Sequence, residues 1–294
     1  MAPTAAPARP RVGVVKMASC DGCQLTILDL EERLLDVTER FEILDFPEAS
    51  SARSAGPFDV LFVEGSISDP HQAERIVELR ARTRILVTIG ACATAGGIQA
   101  LRNFGDHAAF RDAVYPSPEL VASLDRSTPV ADHVPVDIEL RGCPIDPDQL
   151  LELLGALATG RRPQLRDEPV CMECKRRGVV CVVVAQGIPC LGQVTQTGCG
   201  AICPRYGRGC YGCFGPREGA NVDGLVQSWH ADGGKTLAEA GRLLAGFTAW
   251  AEPFRGAVHA LGGAPEGSRR TLPVIARPPT DEAAARPAAR EDAP

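Results

Sequence analysis

The sequence has no stretch near the ~20 consecutive apolar residues a membrane-spanning helix needs. Its most apolar piece, "GVVCVVVAQGI", is short and interrupted. The opening "MAPTAAPARPRVGVVKMAS" has no apolar h-region, and Pro10 splits Arg9 from Arg11, so neither a secretory signal nor a twin-arginine pair is expected. No Lys/Arg block interleaves with aromatic residues, and the formal net charge of -6 lacks the electrostatic footprint of a nucleic-acid binder. "GACATAGG" is not a G-x-G-x-x-G dinucleotide loop. No Ser-His-Asp or Cys-His arrangement is supported, so no hydrolytic site is expected. These absences leave a folded protein expected in the cytoplasm, with no membrane span and no nucleic-acid partner.

What the chain does have is sulfur: 12 cysteines in 294 residues. In a reducing compartment so many thiols are metal ligands sooner than disulfides. Cys20, Cys23, Cys92 and Cys143 are scattered through the first half, whereas eight more crowd between Cys171 and Cys213.

The hydrophobic pattern explains the first four. Apolar runs "RVGVVKM", "FEILDF", "FDVLFVEGS", "RILVTIG" and "VDIELRGCP" read as strands. Helical patterns separate them, over Gln24 to Asp36 with Leu25, Leu28, Leu34 and Leu35 along one side, in "PHQAERIVELRAR", and in "DPDQLLELLGALATG". Strands alternating with helices predict an α/β fold, a doubly wound parallel sheet, in which ligands sit beyond the carboxyl ends of the strands. Cys20, Cys92 and Cys143 each follow a strand, and Cys23 lies one turn after Cys20, so four thiols are expected to converge on one sheet edge.

The division expected is a loose tail over 1–10, the sheet domain over 11–165, an irregular Cys/Gly/Pro-rich segment over 166–220, helices over 221–262 and a disordered tail over 263–294. The irregular segment is too poor in regular structure to form a core alone, so an inorganic group should hold it.

Its spacing, C-x2-C-x6-C-x8-C-x8-C-x3-C-x6-C-x2-C, falls into Cys171, Cys174, Cys181, Cys190 and Cys199, Cys203, Cys210, Cys213. Each set of four holds one C-x2-C. Zinc and iron–sulfur clusters both accept four thiolates, and spacing leaves both open. The small and apolar flanks "GIPCLGQ", "TGCGAICP" and "GCYGCFGP" favour clusters, since they let backbone N–H groups approach sulfur and exclude water.

"MASCDGCQL", "VEGSIS", "IGACATAGGIQ" and "GCPID" resemble the cluster-binding motifs of [NiFe] hydrogenase small subunits, which a respiratory complex I subunit shares. "PVCMEC", "PCLGQVTQTGC" and "CPRYGRGCYGCFG" are similar to the two-cluster domain of the cytoplasmic hydrogenase group that includes sulfhydrogenase delta subunits and F420-linked enzymes. The resemblance implies a flavodoxin-like first domain with a proximal cluster on Cys20, Cys23, Cys92 and Cys143. It implies a distal set at Cys171, Cys174, Cys181 and Cys190, and a medial set at Cys199, Cys210 and Cys213. Cys171 stands where periplasmic relatives use histidine, and Cys203 adds a fourth medial thiolate, so three all-cysteine [4Fe–4S] clusters are expected.

The implied function is electron transfer in a bidirectional hydrogenase. The NiFe centre would lie on a separate large subunit, and flavin and NAD(P) on diaphorase partners. A complex I-like quinone-coupled subunit and a non-redox zinc scaffold are the rivals, and the first lacks the eight-cysteine segment. Glu64 is expected to solvate a loop at the subunit contact, and Asp21 to be a turn residue. His71, His107, His133, His230 and His259 match no ligand position, and Trp229 and Trp250 are expected in the core or at an interface.

Overall fold

The computed structural model describes residues 9–262. The N-terminal tail up to residue 8 and the expected disordered tail over 263–294 lie outside the described residues. Five strands, β1 (Arg11–Lys16), β2 (Glu42–Asp45), β3 (Phe58–Glu64), β4 (Thr83–Ile89) and β5 (Ile138–Leu140), form one parallel sheet in the order β2-β1-β3-β4-β5. This is the doubly wound α/β fold that the alternating pattern predicts.

The strands are apolar on both sides because both faces are covered. Side chains alternate with period two: Val12, Val14, Phe62, Val87 and Ile89 join one cluster, and Val15, Leu61, Val63 and Leu86 join the other. Helices α1 (Gly22–Leu28), α2 (Glu32–Arg40) and α6 (Pro147–Thr159) pack on the first face, and α3 (Pro70–Ala81) and α4 (Gly90–Ala95) on the second. Helices α3 and α6 start alike, with an aspartate cap followed by proline: Asp69 accepts from the Gln72 N–H at 2.9 Å and Asp146 from the Gln149 N–H at 3.0 Å. A short helix, α5 (His107–Val114), buries no residue.

The single helix expected over Gln24–Asp36 is instead two. Glu31, at φ 52, breaks the chain between α1 and α2. The buried side of α1 is Cys23, Gln24, Thr26 and Ile27, while Leu25 and Leu35 are 48% and 68% exposed.

Beyond α6 the regular pieces shorten to α7 (Val170–Arg176), α8 (Val182–Gln186) and α9 (Ile202–Arg205). This stretch shares its core with the helices on its C-terminal side. Val170, Val182, Leu191 and Val194 pack with Val222, Leu225 and Trp229 of α10 (Val222–Ala231), Leu244 of α11 (Leu237–Leu244) and Phe254 and Val258 of α12 (Phe254–Ala260). Ala100 and Phe104, from the 3-10 helix Ile98–Phe104 after α4, join the same cluster.

Candidate metal centres

Register sets the first site. Lys16 pairs with Glu64, Glu64 with Ile89 and Ile89 with Leu140, so four strands end at one level. The chain leaves those ends through Cys20 and Cys23, through Cys92 on α4, and through Cys143. Cys92 lies within electrostatic reach of Cys143 and Cys20, and Cys23 of Cys143 and Cys92, so the structure brings the four thiols together. Burial raises the Cys23 thiol far above its ordinary value, with the Glu64 charge adding to it, and burial lifts Cys92 to about 11.

Two glycines let the backbone pass close to these sulfurs. A Cβ on Gly90 would collide with Cys23 Sγ, and one on Gly97 would lie 2.7 Å from Cys92 Sγ. Both sit at positive φ, 83 and 62, where glycine carries no steric penalty.

The eight later thiols lie close to one another along the irregular segment. Cys171 is in reach of Cys190, Cys174 and Cys181, and burial raises it to about 11. Cys213 is in reach of Cys199 and Cys203, and Cys210 of Cys213; burial raises Cys213 to about 12 and Cys210 further. The sets also touch one another. Cys203 and Cys210 reach Cys190, Cys174 reaches Cys199, and Cys213 lies near Cys143. In space the order is therefore first set, third set, second set. Cys20 is exposed at one end of this chain of thiols and Cys181 at the other, while Cys190 and Cys210 are buried between.

The surroundings fit thiolate-bound clusters. Backbone N–H groups point at two of the buried sulfurs: Cys210 N–H to Cys190 Sγ at 3.1 Å, Gly192 N–H to Cys190 Sγ at 3.4 Å, and Gly212 N–H to Cys210 Sγ at 3.5 Å. Such bonds stabilise a coordinated thiolate and tune its potential. All twelve cysteines are free thiols. Among the described residues no three Cys, His, Asp or Glu side chains converge on a single-ion site, so the thiols are grouped without sharing one coordination point.

Two carboxylates are more deeply placed than the sequence suggests. Glu64 does not solvate a loop: it is 2% exposed at the end of β3, accepting from the Cys23 N–H at 3.0 Å and from Gln24 Nε2 at 2.8 Å. Glu173, between Cys171 and Cys174, is buried too, and nothing in the cysteine spacing singles it out. Asp21 is a turn residue in left-handed conformation, ion-paired with Lys16. Among the histidines, His107 bonds Ser123, His133 bonds Thr128 and His230 bonds the Lys235 carbonyl. Trp250 packs edge-on against Phe104 at 5.3 Å, and Trp229 is buried in the same core cluster.

Residues 20–157 match the family model described as NADH ubiquinone oxidoreductase, 20 Kd subunit. The sulfhydrogenase 2 subunit delta of Pyrococcus furiosus is 39% identical over 217 residues, covering 74% of this chain and 91% of that protein. A subunit of the F420-non-reducing hydrogenase vhu of Methanococcus voltae is 31% identical over 258 residues, covering 77% and 90%. Among solved structures, a chain of an NAD+-reducing [NiFe]-hydrogenase in the H2-reduced state is 28% identical with a TM-score of 0.51, covering 54% of this chain and 96% of that one.

Proposed function

The chain belongs to the [NiFe] hydrogenase small subunits of the sulfhydrogenase delta type, and from that membership we propose that it relays electrons through three [4Fe–4S] clusters between a NiFe large subunit and an NAD(P)-linked diaphorase. It is an oxidoreductase subunit whose active site lies on the large subunit. The observation that carries the reading is the run of neighbouring thiols through the chain, with Cys210 N–H on Cys190 Sγ inside it and exposed Cys20 and Cys181 at its ends.

When bound, iron–sulfur clusters supply one-electron transfer without proton chemistry of their own. This chain's residues do the rest. Cys20, Cys23, Cys92 and Cys143 hold the proximal centre at the sheet edge, where the large subunit docks. Cys199, Cys203, Cys210 and Cys213 hold the medial centre, with Cys213 beside Cys143 of the first set. Cys171, Cys174, Cys181 and Cys190 hold the distal centre, whose exposed Cys181 faces the flavin and iron–sulfur partners. The buried walls of Val170, Leu191, Val194 and Phe254 exclude water between the last two sets. Twelve thiolates, with no imidazole among them, keep all three potentials low, as reversible exchange with a nicotinamide carrier requires.

That carrier is NAD(P)+, by kinship with the NAD+-reducing enzyme, and the complex works in the cytoplasm. Among the described residues no helix is long and apolar enough to cross a membrane. Anaerobic purification of the complex tests the reading. Expected are about twelve iron and twelve sulfide on this chain, roughly four of each per site, in addition to what the partner subunits carry, together with H2-dependent NAD(P)+ reduction. One zinc per thiol set, with no iron beyond the partners' share, would instead support the zinc scaffold.

A further inference from the structure

Glu173 stands between Cys171 and Cys174 on α7, yet its carboxylate serves the other thiol set. It is 8% exposed, its Oε1 accepts from the Gly198 N–H at 3.2 Å, and its Oε2 accepts from the Ala201 N–H at 3.0 Å. Those two N–H groups bracket Cys199, whose Sγ lies 4.0 Å from Oε2. A buried carboxylate is costly unless hydrogen-bonded, and here both oxygens are used on one loop.

The loop needs holding. Ala201 adopts φ 55, a left-handed conformation that an L side chain resists. Arg177, one turn beyond Glu173, lies against Gly200, with its Nη2 3.0 Å from where a Cβ would sit. On the other side Gln149 Nε2 donates to the Thr197 carbonyl at 3.3 Å. A cavity of about 490 Å³ opens beside Cys199, lined in part by Asp146, Gln149, Arg166, Arg177 and Arg205. Glu173 is thus the link on the inner side between the helix bearing the second thiol set and the first thiol of the third.

We propose that Glu173 is a positioning residue that clamps Cys199 against α7 and holds down the potential of the Cys199/Cys203/Cys210/Cys213 centre. This rests on the reading of those thiols as cluster ligands. A fixed negative charge beside a cluster disfavours its reduction, and Cys199 is the sulfur nearest that charge. The effect is strongest at Cys199, whose Sγ is 4.0 Å from Oε2, and Cys174 on the same helix also feels the Glu173 charge.

The test compares the anaerobically purified complex carrying wild type, Glu173→Gln and Glu173→Asp in redox-poised EPR, with iron counted in each. Glu173→Gln removes the charge and points an amide donor at one of the two N–H donors. Expected is at least a tenfold shift of the medial centre toward the reduced form, 59 mV for a one-electron couple. The distal centre moves less and the proximal centre not at all. Glu173→Asp keeps the charge and should recover more than half of that shift. Selective loss of the medial signal in Glu173→Gln, with the other two intact, also supports the clamp. An unmoved medial potential, or an equal shift or loss in all three centres, overturns the proposal. A wild type with fewer than three reducible centres removes the cluster reading on which it stands, which the wild-type iron count reveals separately.

Discussion

Gly97→Ala is the sharpest test of how closely the backbone is drawn to the thiols at the sheet edge. Gly97 has φ 62 and ψ -160, a region that is essentially glycine's alone, so the new methyl costs about 1–3 kcal/mol in the backbone. Its Cβ would lie 2.7 Å from Cys92 Sγ and 2.9 Å from Cys92 Cα. Relieving that overlap displaces the thiol and adds about 1–3 kcal/mol of overpacking. The combined cost, about 2–6 kcal/mol, is set against a domain stability of about 5–15 kcal/mol, so the variant should fold and load the other two thiol sets. Gly187→Ala is the control, because Gly187 is also left-handed, at φ 66, but an added Cβ meets nothing within 4 Å. It should lose only the backbone cost of about 1–2 kcal/mol. Iron content and EPR of the purified complex read the difference. Gly97→Ala should lose about four iron per complex, one four-iron site, and the proximal signal with it, while Gly187→Ala keeps both. A Gly97→Ala protein with full iron, an intact proximal signal and a stability loss no larger than the control's would refute the close approach.

Cys203→Pro should convert the medial centre into a three-iron cluster of raised potential. An EPR spectrum identical to wild type would show that Cys203 is no ligand. Glu64→Gln turns a buried acceptor of two bonds into a side chain with one donor facing another donor, which should cost about 1–3 kcal/mol in denaturant unfolding; an unchanged midpoint would contradict the bonding. Burial, with Arg102 and Arg111 nearby, lowers the His107 pKa below its ordinary value. Protonation therefore favours the unfolded chain. The stability His107 supports is present above the unfolded value near 6.5 and is lost as pH falls through the lower folded value. His107→Gln should flatten that part of the stability profile between pH 7 and 5, and an unaltered slope would assign the pH dependence elsewhere.

The parts of this structure that were legible in the sequence share one physical reason. Strands buried on both faces, such as "FDVLFVE", must be apolar throughout, and glycine or cysteine where such a run stops marks a parallel sheet's carboxyl edge. The cysteine spacing likewise marked 171–213 as one thiol-dense segment, and the structure keeps those thiols near one another. Spacing could not place the third set between the first and second; that expectation came from resemblance. Nor could it show that Glu64 and Glu173 are buried, because an acid beside a metal-binding turn reads as solvated until its N–H partners are known. Those partners are Cys23, Gly198 and Ala201, the last two distant from Glu173 in sequence.

The remaining mismatch has a different origin. Leu25 was expected on a buried face and is 48% exposed, two residues after Cys23, and Ile98, next to Gly97, is 56% exposed. At the other end of the thiol chain Val180 and Val184, flanking Cys181, are 70% and 87% exposed. Scattered apolar residues on a surface need no explanation, but these stand beside the two ends of the thiol series, where Cys20 and Cys181 are exposed. An apolar pattern records burial in the working assembly, whereas the isolated chain shows only what its own core can cover. A helix face that reads as core in the sequence yet lies open beside Cys23 is therefore apolar surface that this chain's own core does not cover.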